Sequence, residues 1–496
     1  MEKESRPSII EVLASEQFFK PAFRDLSTWR NWEIFLKALY GIEMSPDELE
    51  LFKSSTCRTE PSSNGYHEVY AIVGRRGGKS RIAALIAVYE ALLGGWDQKL
   101  SKGERGWIFI IANDKAQAKI VLNYVKGLLE LFPDMMDRNV EEGVGLKNGI
   151  SIAVKTCSFR ASRGFTTCCV IGDEIAFWRD ENSVNPAEEV INSILPGLME
   201  GARLLGISTP YAKFGFLYQQ YKDYFARDDS DILVWKAPTL TMNPTYSQST
   251  IDRLIKRDRV VFSAEYQADF REDISNFLPE EMIRVAMTHG PLPPEPGKRY
   301  LAFLDPSGGR SDSMTLAIAH RDGEKIILDY IEEQRPPFNP DSVVKEFSNS
   351  MRVYSIVKAT SDRYAGVWPS SAFQKEGIQI EMSELTSSEL YLEFQPLLAM
   401  GRVELLNDDR LSLQFQSLER RTRSGGRDSV DHPPGYHDDL SNAVAGVCVL
   451  ASRKVFWDEK ERESRMPVRP SSPSNTFREI VENFEKELGG RKPLEK

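Results

Sequence analysis

Hydrophobic positions along this chain follow two spacings, and the switches between them mark out its elements. Near the start, Trp29, Trp32, Phe35, Leu36 and Leu39 recur at three- and four-residue intervals before Gly41, which predicts an amphipathic helix. Between about Tyr66 and Thr209 the pattern becomes short apolar runs: Glu68–Val73, Trp107–Ala112, Ser151–Val154, Thr167–Ile171 and Arg203–Ile207, with helical stretches between them. Strands alternating with helices in this way predict a parallel, doubly wound α/β sheet. Helices are expected at Ser249–Lys256 and Val261–Phe270. After a change of character near Asp273–Pro279, three consecutive strands follow, at Tyr300–Asp305, Met314–His320 and Lys325–Ile331, with Asp322-Gly323 as a turn. This is the start of a second α/β unit reaching about Ser452. From about Asp458 the chain is charged and rich in Pro and Ser, with one amphipathic stretch around Phe477–Leu488. The expected divisions are a helical lead-in at 1–60, a first α/β domain at 61–272, a linker at 273–296, a second α/β domain at 297–453 and a flexible tail at 454–496.

Composition narrows this little. With 496 residues the chain is too long for one ordinary core. Hydrophobic residues at 41% and charged residues at 27% are ordinary for globular protein. No apolar run is long enough to span a membrane, and the first residues lack a signal-peptide core. Five cysteines without a CxxC pair, and only five histidines, argue against a disulfide scaffold or a zinc cluster and fit a reducing cytoplasm. A net charge of −10 means that contact with a polyanion must come from local basic patches.

The chemistry concentrates in two places. In Ala71-Ile72-Val73-Gly74-Arg75-Arg76-Gly77-Gly78-Lys79-Ser80 an apolar strand enters a glycine-rich turn that opens onto a helix. Backbone N–H groups in such a loop can close around phosphate, with Lys79 reaching the β/γ-phosphates and the Ser80 hydroxyl available to Mg²⁺. Val73 stands where the general motif has glycine. Cys168–Ile171 leads through Gly172 into Asp173-Glu174. If that strand lies beside the loop's strand, Asp173 can hold the water shell of Mg²⁺ and Glu174 can orient and deprotonate the attacking water. Ser208-Thr209 ends a third strand where a γ-phosphate could be sensed. An arginine that stabilises the transferring phosphoryl group could be Arg75, Arg76, Arg160 or Arg163, acting in its own subunit or in a neighbour's.

In the second unit, Asp305 ends a strand, Asp362 ends a later one, and Asp438-Asp439 begins an apolar helix after His437. Carboxylates gathered so can hold two divalent ions that activate water and stabilise a leaving 3′-oxygen. Arg420, Arg421, Arg423 and Arg427 surround a Ser-Gly-Gly hinge, and such a loop can clamp a DNA backbone.

Taken in order, these residues resemble the large terminase subunit of tailed double-stranded DNA phages. The resemblance runs through Trp29–Gly41, the loop Gly74–Ser80 with its missing glycine, Asp173-Glu174, Ser208-Thr209-Pro210, Asn243-Pro244, Glu265-Tyr266 with Phe270, Leu304-Asp305-Pro306 and His437-Asp438-Asp439-Leu440. It implies a P-loop NTPase domain followed by an RNase H-like nuclease domain. Nucleotide contacts would come from Gly74, Arg75, Arg76, Gly77, Gly78, Lys79, Ser80 and Asp173, with adenine-side contacts near Trp32 and the segment before the loop. Lys79, Arg76 and Glu174 would be catalytic in one domain, and Asp305, Asp362 and Asp439 in the other. Asp305, Asp362, Asp438 and Asp439 would hold the nuclease metal, and Ser80 and Asp173 the nucleotide's. Ser208 and Thr209 would couple hydrolysis to motion, with Arg160 and Arg163 as candidate arginine fingers. The implied cofactors are ATP and Mg²⁺, with Mn²⁺ able to substitute in the nuclease. The implied partners are double-stranded DNA, a small terminase subunit, the procapsid portal and further copies in a ring, in host cytoplasm and transiently at the portal, with no membrane and no place in the mature virion. Two other classes compete: a helicase-like or repair translocase that does not cut, and a nucleotide-gated assembly protein that does not hydrolyse.

Overall fold

The computed structural model describes residues 6–140, 143–157, 165–178, 183, 185–363, 368–422 and 428–453. Two compact units emerge. The first comprises Met1–Phe277 with Glu419–Asp428 and Pro433–Tyr436; the second holds the remainder.

In the first unit, strands β1 (Glu68–Val73), β2 (Gly106–Ala112), β3 (Met136–Val140), β4 (Gly143–Leu146), β5 (Ile150–Thr156), β6 (Thr166–Asp173), β7 (Leu198–Ser208) and β8 (Ile232–Ala237) form one sheet. Their spatial order is β3-β4-β5-β2-β6-β7-β1-β8, parallel from β5 to β8. β1, β2 and β6 are buried almost throughout, as strands covered by helices on both faces must be. The lead-in packs on this core through the helix Arg30–Tyr40, where Trp32, Phe35, Leu36 and Leu39 are buried and Gly41 closes the helix in the left-handed region. Ser8 and Ser45 start neighbouring helices with capping boxes to Glu11 and Glu48.

One expectation is corrected. The strand that ends in Asp173 is not beside the loop's strand, because β7 lies between β6 and β1. Residue order along the chain does not set strand order in a sheet. The register pairs Ile72 with Ser208 and Asp173 with Ile207, so the loop, the hydroxyls and the acids still share the carboxyl edge of the sheet, where α/β folds bind ligands.

The segment expected as a linker is structured. Strand β9 (Ile274–Asn276) ends the first unit, pairing antiparallel with Glu419–Thr422. A helix at Glu280–Ala286 and strand β10 (Met287–His289) belong to the second unit. Within this stretch Phe277, Leu278 and Ile283 are buried.

The second unit's sheet contains β10, β11 (Tyr300–Asp305), β12 (Met314–Asp322), β13 (Lys325–Gln334), β14 (Lys358–Ser361), β15 (Gln379–Met382) and β16 (Val403–Leu406), in the order β10-β16-β13-β12-β11-β14-β15. Three antiparallel strands thus lie at its centre, extended by parallel strands on both sides. The apolar helix Asp439–Ser452 packs on its face. Gly446 permits this approach, since a Cβ there would lie 2.6 Å from the Phe303 ring. Among the described residues no helix is long and apolar enough to cross a membrane. The expected tail at 454–496, including Phe477–Leu488, lies outside the described residues.

Candidate active sites

In the first unit the loop after β1 turns through Gly78, whose φ of +97° only glycine adopts readily; a Cβ there would come within 3.0 Å of the Trp32 indole nitrogen. The helix Lys79–Leu93 begins at the next residue, so its unpaired N–H groups face the loop. Lys79 is buried. Its ammonium donates to Val73 O at 2.9 Å and Thr209 Oγ1 at 2.8 Å, and lies 3.3 Å from Glu174 Oε1. Ser80 follows, half-buried in the helix's first turn.

Glu174 holds a φ of +52°, an uncommon conformation for a residue with a Cβ, found disproportionately at functional sites. Its second oxygen accepts from Thr209 N at 2.9 Å and from Ser208 Oγ at 3.2 Å. Lysine, acid and the two hydroxyl residues therefore form one network. Asp173 is buried beside it, with Oδ1 lacking a hydrogen-bond partner among the described residues. Burial, and then the charge of Glu174, push its carboxyl up to about 7. A buried carboxylate oxygen without a donor, next to a phosphate loop that ends in a serine hydroxyl, suits the hydration shell of Mg²⁺, a hard ion that prefers oxygen.

The arginines separate. Arg75 forms a two-contact ion pair with Glu265, at 2.9 and 3.0 Å, and is exposed. Arg76 is exposed, at a φ of +64°, and has no ion-pair partner among the described residues. Arg160 and Arg163 lie outside the described residues. Trp32, near which adenine-side contacts were expected, is buried and donates its indole N–H to Gly77 O at 2.7 Å, which props the loop.

In the second unit, β11 and β14 run parallel with Leu304 opposite Ser361, which brings Asp305 and Asp362 to the same sheet edge. The Asn442 amide donates to both, at 2.7 Å to Asp305 and 3.0 Å to Asp362. Burial, then the charge of Asp362, hold the Asp305 carboxyl well above the usual carboxylate range. Nothing in the sequence singled out Asn442; its only signal is a position one helical turn after Asp439 on a helix already marked by acids.

The expected cage of four acids is not assembled. Among the described residues no three His, Cys, Asp or Glu side chains converge to hold a metal ion. Asp438 accepts from Tyr391 OH at 2.9 Å and lies 3.6 Å from His432, while Asp439 accepts from Ser313 N at 3.2 Å. His437 faces Asp312 at 3.7 Å. Burial, and then Asp438, push Asp439 up to about 6. Like charges confined in a buried site repel; Asp438 and Asp439 are each turned to a separate donor, while Asp305 and Asp362 share Asn442. The Asp305–Asp362 pair still fits Mg²⁺, which commonly takes one or two carboxylates and completes its shell with water and substrate phosphate. Asn442 Oδ1, buried without a hydrogen-bond partner among the described residues, adds an oxygen beside the pair.

The basic loop expected near this site belongs to the first unit. Arg420 is paired with Asp428 and Arg421 with Glu419, so acids offset both charges. Arg423 and Arg427 lie outside the described residues.

Residues 58–201, which hold the loop and both acids of the first site, match the family model for the terminase large subunit, ATPase domain. Over this segment the chain is similar to terminase large subunits. No curated protein matches it. Among solved structures it is similar to the large terminase of bacteriophage HK97, at 15% identity over 82% of this chain and 95% of that one, with a TM-score of 0.38. The large terminase of a thermophilic bacteriophage in complex with ADP gives 11% identity over 86% and 99%, at 0.36. The large terminase nuclease of thermophilic phage G20c with bound magnesium gives 15% over 34% and 94%, at 0.30. Likenesses this distant assign no residue a role.

Proposed function

We propose that this chain is the large subunit of a terminase, in which ATP hydrolysis in the first unit drives double-stranded DNA into a procapsid and the second unit cuts concatemeric DNA when packaging starts and ends. The observation that carries this reading is the network of Lys79, Glu174, Ser208 and Thr209, whose lysine and acid lie inside the segment that matches the terminase ATPase family. Glu174 takes the proton from the attacking water, and Lys79 leaves Val73 O and Thr209 to follow the phosphates. Loss of that contact frees Thr209 and Ser208 to shift with β7, which couples hydrolysis to motion. Ser80 and Asp173 hold Mg²⁺, which neutralises charge on the phosphates when bound. Arg76 is the loop arginine available to a γ-phosphate, because Arg75 is committed to Glu265.

In the second unit Asp305 and Asp362 ligate the divalent ion, Mg²⁺ or Mn²⁺, which supplies a nucleophilic water for phosphodiester cleavage when bound. Asn442 orients both carboxylates, and Asp439 and Asp438 sit next to them on the helix. Partners in this reading are duplex DNA, the portal, a small subunit and further copies of the chain, in host cytoplasm. The test compares plasmid linearisation and DNase-protected packaging into procapsids by the full chain and by Asp305→Asn. Loss of cleavage with ATP hydrolysis retained is expected. Absence of metal-dependent cleavage by the full chain would favour a translocase that does not cut, and undiminished cleavage by the variant would refute Asp305 as a metal ligand.

A further inference from the structure

Five consecutive carbonyls of the phosphate loop have donors. Val73 O takes the Lys79 ammonium at 2.9 Å, and Gly74 O takes Gly77 N at 3.1 Å. The next three are held by side chains from other parts of the unit: Arg75 O by Thr239 Oγ1 at 2.8 Å, Arg76 O by Asn243 Nδ2 at 2.8 Å, and Gly77 O by Trp32 Nε1 at 2.7 Å. Carbonyl and N–H of one peptide plane point in opposite directions. Fixing three successive carbonyls away from the helix entrance therefore fixes the planes whose N–H groups belong to Arg76, Gly77 and Gly78. Gly77 N is taken within the loop, which leaves those of Arg76 and Gly78, with the helix's first amides, to meet an anion.

The ties are built rather than incidental. Thr239 and Trp32 are fully buried, and Trp32 is locked edge-on against Phe35 at 5.3 Å. Asn243 is oriented by its other end, where Oδ1 accepts from Thr245 N at 3.2 Å and Thr245 Oγ1 at 2.6 Å. Asn243 N in turn bonds Thr239 O at 2.7 Å, so two of the ties share one short turn.

We propose that Thr239, Asn243 and Trp32 are positioning residues for nucleotide binding: they hold the loop in its phosphate-receiving form before the ligand arrives, and so set affinity rather than the chemical step. This rests on the reading of the loop as a nucleotide site. Preorganisation lowers the ordering cost that binding must otherwise meet. None of the three touches Lys79 or Glu174 by a hydrogen bond, so turnover of bound nucleotide is left to those groups.

The experiment measures KM and kcat for ATP, ADP affinity by calorimetry and nucleotide-free melting in the full chain. Its variants are Thr239→Val, Thr239→Ser, Trp32→Phe and Lys79→Ala. Thr239→Val and Trp32→Phe keep shape and remove one donor each. A five- to tenfold rise in KM and in the ADP dissociation constant is expected for both, with kcat within twofold and Thr239→Ser close to wild type. If Lys79→Ala abolishes nucleotide binding while Thr239→Val and Trp32→Phe bind as wild type, the positioning role is refuted and the site stands. Lower melting and lower kcat with unchanged KM, or no rescue by Thr239→Ser, also refutes it. If Lys79→Ala itself binds ATP normally, the site reading fails independently.

Discussion

Glu90 and Arg203 form an ion pair in the interior of the first unit. Glu90 is on the helix that starts at Lys79, and Arg203 is on β7, which ends at Ser208; both are buried or nearly so, 3.3 Å apart. Glu90 also accepts from Tyr40 OH at 2.8 Å and Trp96 Nε1 at 2.9 Å, and the Arg203 guanidinium lies 4.3 Å from the Tyr40 ring centroid. Arg203→Met fills much of the volume but leaves a buried carboxylate without its cation, which costs about 3–5 kcal/mol. For a unit of this size that is a fall in melting temperature of roughly 10 °C. Glu90→Gln in the same chain removes the orphaned charge while keeping an acceptor, so the double variant should recover more than half of the loss. Urea denaturation of the four proteins of the cycle, read by tryptophan fluorescence, gives the coupling directly. An Arg203→Met variant within about 1 kcal/mol of wild type, or a double variant no better than the single, would refute the assignment of this pair as a buried, mutually dependent charge couple.

Other predictions follow from single contacts. Burial raises the Asp173 carboxyl from 3.8 to about 7, so the folded chain holds that proton more tightly than the unfolded one and loses stability as pH rises between those values. At about 1.36 kcal/mol per pH unit this reaches roughly 4 kcal/mol above pH 7. Asp173→Asn should therefore raise the nucleotide-free melting temperature at pH 8 and have a much smaller effect at pH 5; a gain that does not depend on pH contradicts the buried-charge account. Gly446→Val, which drives a side chain into Phe303, should destabilise the second unit by about 1–3 kcal/mol in denaturant titration. In that unit, Asn442→Leu should raise the Mg²⁺ concentration needed for cleavage several-fold, whereas an unchanged metal dependence would exclude a role in orienting the two acids.

The sequence was most readable where one physical signal dominates. Continuous apolar runs betrayed β1, β2 and β6, because strands buried on both faces carry few polar residues. The placement of Asp305 beside Asp362 followed from acids at strand ends once the strands were found in register. Spatial order was not readable: β7 separates β6 from β1, and no local pattern records which strands become neighbours. The pairing of Arg75 with Glu265 and of Arg420 with Asp428 was equally hidden, since an arginine's partner depends on the tertiary fold. Asn442 went unnoticed because an amide in an apolar helix resembles a tolerated polar residue until the two carboxylates it bridges are seen. Trp32 was recognisable as core, but its donated hydrogen bond to the loop was not.

The central claim is that Lys79, Glu174 and the strand-end hydroxyls form an ATP-hydrolysing site. Phosphate release by the full chain with Mg²⁺ and ATP, compared between wild type and Glu174→Gln, tests it most directly. Loss of a general base predicts a fall in kcat of about 10²–10⁴-fold with nucleotide binding retained. Equal rates of phosphate release from the two proteins would contradict it.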